Sequence, residues 1–141
     1  MDKQEDIANV LIADNDPELA RFMLEILARK GIRGHLVGNK EKAIDFISKG
    51  SCDFVFTSDM ISPPADLPGR SQDGFELLCK VRENWPELAV VMFTTNHKTG
   101  LQNQQQTVTT AVRAVRHGCC DFLIKPPERE KIETLLDTFL P

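Results

Sequence analysis

The sequence predicts an α/β fold: a single doubly wound parallel sheet of five strands with helices on both faces. Two observations predict it. Short apolar runs alternate with stretches whose apolar residues recur at helical spacing, through five β-then-α units without an internal repeat. Parallel strands need crossovers that are usually helical and right-handed, so this alternation implies a parallel sheet. In addition, four of the runs end in polar residues, and open α/β sheets bind ligands beyond the carboxyl ends of their strands.

The elements follow in order. Met1 to Asp6 is a polar lead-in. Ile7 to Ala13, centred on Val10, Leu11 and Ile12, suits a strand buried on both faces. Asp16 is a good N-cap and Pro17 a good first residue for a helix from Pro17 to Lys30, with Leu19, Phe22, Met23, Ile26 and Leu27 along one face and Gly31 as its stop. Leu36 and Val37 predict a short second strand. Asn39 can cap a helix from Lys40 to Lys49 that carries Ala43, Ile44, Phe46 and Ile47, and Gly50 closes it. Phe54 to Pro63 reads as a buried strand that runs out into a loop and puts Asp59 at its C-terminal tip, and a polar segment from Ser62 to Gln72 follows. Gly74 to Glu83 reads as a helix with Phe75, Leu78 and Val81 inward. Leu88 to Phe93 is the fourth strand, running into Thr94, Thr95 and Asn96. After the Gln- and Asn-rich stretch from Lys98 to Gln106, Thr107 to His117 is amphipathic through Val108, Ala111, Val112 and Val115, and Gly118 ends it. Phe122, Leu123 and Ile124 lead into Lys125 and Pro126. A last helix from Glu128 to Phe139 places Ile132, Leu135, Leu136 and Phe139 on one face.

At 141 residues the chain is expected to be one domain, 1–141 with a core of about 7–139, able to bury a core without disulfides or a structural metal. A net charge of -4 argues against nucleic-acid binding by this segment. No apolar stretch is long enough to span a bilayer, so no membrane partner is expected. Cys52, Cys79, Cys119 and Cys120 have neither CxxC spacing nor a histidine in metal-ligand register, which with the absence of an N-terminal apolar run points to a reducing cytoplasm.

Asp14 and Asn15 after the first strand, Asp59 after the third, Thr94 after the fourth and Lys125 after the fifth are expected to converge on one edge of the sheet. Asp59 has two readings: a cap for the loop that follows, or a nucleophile able to form an aspartyl-phosphate. Crowded carboxylates repel, so a cation must compensate them or their pKa values must rise. An all-oxygen set suits a hard cation, Mg²⁺ being the natural choice. With a lysine and a hydroxyl added, the set matches what phosphoryl transfer needs. Lys125 itself is costly at the end of a buried strand unless it has a partner.

These residues carry a resemblance. From about Val10 to Phe139 the chain resembles the response-regulator receiver domains of two-component signalling, in Asp14, in Asp59 with Pro63 four residues on, in Asp73-Gly74, in Thr94, and in Gly118 to Pro126 with its Asp-Phe-Leu-Ile-Lys-Pro ending. The resemblance implies a flavodoxin-like sheet of order 2-1-3-4-5. It implies Asp59 as phosphoacceptor, charged by a histidine kinase or phosphotransfer protein. Asp14, Asn15, Asp59 and the backbone carbonyl of Ile61 would hold Mg²⁺, Thr94 would bond the phosphoryl group and Lys125 would pair with it. Phe122 stands where the family has a switch aromatic coupled to Thr94. The domain would act as a signalling switch and not as an enzyme beyond its own phosphorylation and dephosphorylation, and the face from the fourth to the fifth helix is one that receivers use for homodimerisation or output. No output domain is expected within these residues, which fit either a stand-alone receiver or the first domain of a longer regulator.

Three departures qualify the resemblance. Asn15 stands where the family usually has a second acid, so weaker Mg²⁺ binding is expected. The stretch from Pro63 to Gln72 is longer than the usual link, and Lys98 to Gln106 is an insertion beside the fourth helix. Ile61 and Asn96 occupy positions that tune the lifetime of the phosphoryl group, and apolar Ile61 predicts a long one. Two alternatives remain open: a receiver-like interaction module without phosphorylation, and a haloacid-dehalogenase-type phosphatase built on Asp14-Asn15-Asp16. Glu18, where a Thr is commonly found, and the single late acid Asp121 argue against the second.

Overall fold

The computed structural model describes residues 7–59, 61, 73–94, 109 and 111–140. Five strands, β1 (Asn9–Ala13), β2 (Arg33–Val37), β3 (Phe54–Ser58), β4 (Ala89–Thr94) and β5 (Asp121–Ile124), form one sheet in the order β2-β1-β3-β4-β5. Every pairing is parallel. The helices are α1 (Pro17–Arg29), α2 (Lys40–Ser48), α3 (Asp73–Asn84), α4, described over residues 111–116, and α5 (Arg129–Phe139).

Because side chains alternate along a strand, each central strand feeds two cores. Val10, Ile12, Phe54, Phe56, Val91 and Phe93 point toward α1 and α5, where Met23, Ile26, Leu27, Ile132 and Leu136 meet them. Phe54 stacks on Phe56 at 4.7 Å between centroids and Phe56 on Phe93 at 5.6 Å, so an aromatic row runs across this face. Leu11, Val55, Val90 and Met92 point the other way, toward Ala43 and Ile47 of α2 and Phe75, Leu77, Leu78 and Val81 of α3. Burying one such side chain is worth ~1.5–3 kcal/mol, and the two clusters together hold the sheet.

Local signals set the helix ends. Asp16 Oδ1 accepts the N–H groups of Glu18 at 3.0 Å and Leu19 at 3.2 Å, and Asn39 Oδ1 accepts that of Lys42 at 2.8 Å. Gly118 leaves α4 with φ +95, a left-handed conformation that costs glycine nothing.

Three expectations need correction. β2 is not confined to Leu36 and Val37 but begins at Arg33, and Leu36 is exposed. It is an edge strand, so polar Arg33 and His35 are tolerated and no apolar run announces it. β5 is the other edge, and Ile124 is 60% exposed. In α4 the inward residue is Ala114, with Ala111 half-buried, while Val112 and Val115 face out. The expected segments Met1 to Asp6, Ser62 to Gln72 and Lys98 to Gln106 lie outside the described residues, as do Pro63, Thr95, Asn96 and Val108.

Candidate functional site

Asp14 follows β1, the strand flanked by β2 and β3, and so stands near the middle of the sheet's carboxyl edge. Its N–H donates to Val37 O at 3.1 Å and its Oδ1 accepts from Asp16 N at 3.1 Å. Lys125 Nζ lies 2.7 Å from the buried Asp14 Oδ2. At this distance the ammonium acts on that oxygen both as a charge and as a hydrogen-bond donor. Both side chains are largely hidden, at 12% and 4% exposure. Burial holds the Asp14 carboxyl above the usual carboxylate range, and Lys125 pulls the other way without overcoming it. Desolvating two charges costs several kcal/mol per ion, which makes stability a poor explanation for the pair and function a better one. Lys125 is followed by a cis peptide to Pro126, and beside it lies a cavity of about 380 Å³ lined by Asp16, Glu18, Leu19, Phe22, Lys125, Pro126 and Pro127.

Asp59 is held through its backbone from two sides. Its N–H donates to Phe93 O at 2.9 Å, which ties it to β4 one residue before Thr94, and its carbonyl accepts the N–H of Gly74 at 3.2 Å. Ser58 Oγ stands 3.4 Å from Asp59 Oδ1. Thr94 is 1% exposed. Gly74 has no room for a side chain, since a Cβ there would collide with Ser58 O and lie 2.7 Å from the Asp59 carbonyl. The first turn of α3 therefore rests against the backbone of the β3 tip.

The other expected site residues have the following surroundings. The Asn15 amide leans over the turn after β2, its Oδ1 only 2.6 Å from where a Cβ on Gly38 would stand. The Ile61 side chain is fully buried in the α2 and α3 core, and its N–H donates to Asp73 Oδ1 at 2.7 Å. Phe122 is half-buried against that same core, in register with Met92, while Thr94 is in register with Ile124. The roles of Asp73 and Gly74 as anchors of the β3 tip could not be read from sequence. Their motif was visible, but their partners lie across residues 62–72.

Among the described residues no three His, Cys, Asp or Glu side chains come together as a ready metal cluster. Two carboxylates and a backbone carbonyl nevertheless suit Mg²⁺, which keeps several waters and commonly takes only one or two carboxylates from the protein. The buried Asp14 Oδ2 already has the Lys125 ammonium 2.7 Å away, so this edge is one where a carboxylate is met by positive charge. By donor chemistry the residues fit.

A doubly wound parallel sheet with acids and a buried lysine at its carboxyl edge defines an α/β protein whose working surface is that edge. The chain belongs to the response regulator receiver domain family, whose model matches residues 10–137. Relatives include the DNA-binding transcriptional regulator NtrC of Bradyrhizobium sp., 26% identical over 128 residues that cover 91% of this chain and 23% of that protein. Two-component response regulator ORR24 of Oryza sativa subsp. indica is 26% identical over 126 residues, covering 89% of this chain and 18% of that one. The chain thus spans about a quarter or less of these relatives. The receiver domain of NtrX from Brucella abortus superposes with a TM-score of 0.74 at 23% identity, covering 93% of this chain and 97% of that one. A response regulator from Thermotoga maritima gives 0.74 at 15%, covering 95% and 98%. These structures establish the fold, and the family match establishes a receiver domain of a two-component response regulator.

Proposed function

We propose that Asp59 is the phosphoacceptor of this receiver, taking a phosphoryl group from the phosphohistidine of a histidine kinase or phosphotransfer protein. The observation that supports this best is the buried Asp14–Lys125 pair at the carboxyl edge that Asp59 shares. An Asp59 carboxylate oxygen forms the new P–O bond as the P–N bond to the donor imidazole breaks, and the electron pair leaves with the imidazole nitrogen. Backbone bonds on both sides of Asp59 fix the main chain that carries the carboxylate, which is a positional contribution to catalysis. Asp14, Asp59 and the Ile61 carbonyl, with Asn15 as a neutral and displaced fourth donor, are the groups that would hold Mg²⁺. Bound there, the ion supplies charge compensation for the phosphoryl oxygens. Lys125, held at the edge by Asp14, would pair with an incoming phosphoryl oxygen. The Thr94 hydroxyl then bonds a second oxygen, and Phe122 follows Thr94 inward as the domain shifts between two conformations.

Asn15 favours a second reading, a partner-binding module that no longer takes phosphate. The test is intact-mass analysis after incubation with acetyl phosphate, with and without Mg²⁺, for wild type and Asp59→Asn. One phosphoryl adduct that requires both Mg²⁺ and Asp59 is the expected result. Folded protein that remains unmodified with acetyl phosphate and with a phosphorylated histidine donor would favour the second reading. Exposed Val112 and Val115 on α4 and Ile124 on β5 support self-association through the face from α4 to α5. No helix among the described residues is long and apolar enough to cross a membrane, and we assign the domain to the cytoplasm.

A further inference from the structure

We propose that Asp73 is a positioning residue of this site, setting the direction of the Ile61 carbonyl across the long connection between β3 and α3. This rests on the reading of that carbonyl as a metal ligand. Ile61 is held at two points: its N–H donates to Asp73 Oδ1 at 2.7 Å, and its side chain is 0% exposed within the α2 and α3 core. Peptide units are planar, so a residue whose amide and side chain are both fixed has one backbone rotation left to aim its carbonyl.

The clamp has a second bond. Gly74 N donates to Asp59 O at 3.2 Å, and the absence of a Cβ at Gly74 lets α3 come this close. Consecutive residues of α3 thus hold the acceptor residue and the residue two positions beyond it. The bond from the Ile61 N–H to Asp73 Oδ1 fastens the Ile61 amide to the first turn of α3, and a carboxylate acceptor makes such a bond stronger than a neutral one.

The experiment compares wild type, Asp73→Asn, Asp73→Ala and the remote core variant Ile26→Val. Mg²⁺ affinity of the unphosphorylated protein is measured by calorimetry, hydrogen exchange at the Ile61 amide by NMR, and phosphorylation by acetyl phosphate at saturating Mg²⁺. The expected result is a roughly tenfold loss of Mg²⁺ affinity in Asp73→Ala, as for other groups that orient metal ligands, with loss of protection at Ile61. Phosphorylation at saturating Mg²⁺ stays within about threefold of wild type in Ile26→Val, which lies outside the site. Asp73→Asn keeps an acceptor oxygen and recovers most of the affinity. Wild-type Mg²⁺ affinity in Asp73→Ala, or an equal loss in Ile26→Val, overturns the proposal. A wild type that binds Mg²⁺ but takes no phosphoryl group from acetyl phosphate or from a phosphorylated histidine donor overturns the phosphoacceptor reading instead and leaves the positioning claim to the affinity and exchange data.

Discussion

The layer formed by α1 and α5 and the single helix α4 attach to the same sheet in different ways. On the first side, large side chains interlock: Met23, Ile26, Leu27, Ile132 and Leu136 close over the Phe54, Phe56 and Phe93 row. On the other, the fully buried residue that α4 contributes over its described length is Ala114. Its further contacts are polar or aromatic. The Arg113 guanidinium sits 4.1 Å from the Phe75 ring centroid, and at the turn that ends the helix His117 Nδ1 is 3.5 Å from Cys79 Sγ. Arg82 of α3 reaches across to the same turn, donating from Nε to Gly118 O at 2.8 Å, from Nη1 to Pro86 O at 2.9 Å and from Nη2 to Leu88 O at 2.7 Å. Apolar interlocking resists displacement in every direction, whereas a small contact patch with a few directional bonds permits alternative seatings. The comparison teaches that, over the described residues, the α1 and α5 layer is interlocked by large side chains while α4 is attached by a small patch and a few directional contacts.

Mutations can break this contrast, and the largest effect is expected at Leu27. Leu27→Ala removes a fully buried side chain from the interlocked layer and should cost ~2–5 kcal/mol in urea unfolding. A loss below 1 kcal/mol would show that this side is not the frame. Arg82→Ala comes next, with an expected loss of ~1–3 kcal/mol from carbonyls left without their donor, together with faster hydrogen exchange in α4. Unchanged exchange there would remove Arg82 from the attachment of α4.

Asp14 gives a smaller effect whose sign depends on pH. Burial raises its folded pKa, with Lys125 opposing, so the fold holds the carboxyl proton more tightly than the unfolded chain does. That contribution is fully present below the unfolded value of about 3.8 and is lost as pH rises through the folded pKa. Asp14→Asn, which cannot ionise, should therefore match wild type near pH 3 and exceed it in urea midpoint at pH 7. A variant less stable than wild type at pH 7 would mean that Lys125 outweighs burial. The smallest effect is expected at Val115, which is 62% exposed: Val115→Ala should stay within ~0.5 kcal/mol while weakening any self-association seen by sedimentation.

What could be read from the sequence follows the same division. The central strands were legible because burial on both faces writes a continuous apolar run, as in Phe54 to Phe56, and the α1 cap because Asp16 precedes Pro17. β2 was only half visible, since an edge strand has one face to bury and spends the rest on residues such as Arg33 and His35. The orientation of α4 was misread because valines mark an apolar face by hydrophobicity, while alanines, by allowing close approach, decided which face turned inward. The positions of Asp14, Asp59, Thr94 and Lys125 just at or beyond strand ends were legible from the apolar runs that precede them. The contact of Lys125 with Asp14 depends on tertiary distance, and so do the leaning of Asn15 toward Gly38 and the bond from Ile61 to Asp73.

The Arg82 contacts also have a mechanical consequence. By fastening the turn at Gly118 to α3 and to the approach of β4, they provide α4 with a pivot at its C-terminal end. A helix pinned at one end can only swing, and the arc it sweeps grows with distance from the pin at 1.5 Å of lever per residue. A tilt of α4 about the turn that Arg82 fastens would therefore displace Ala111 more than Ala114.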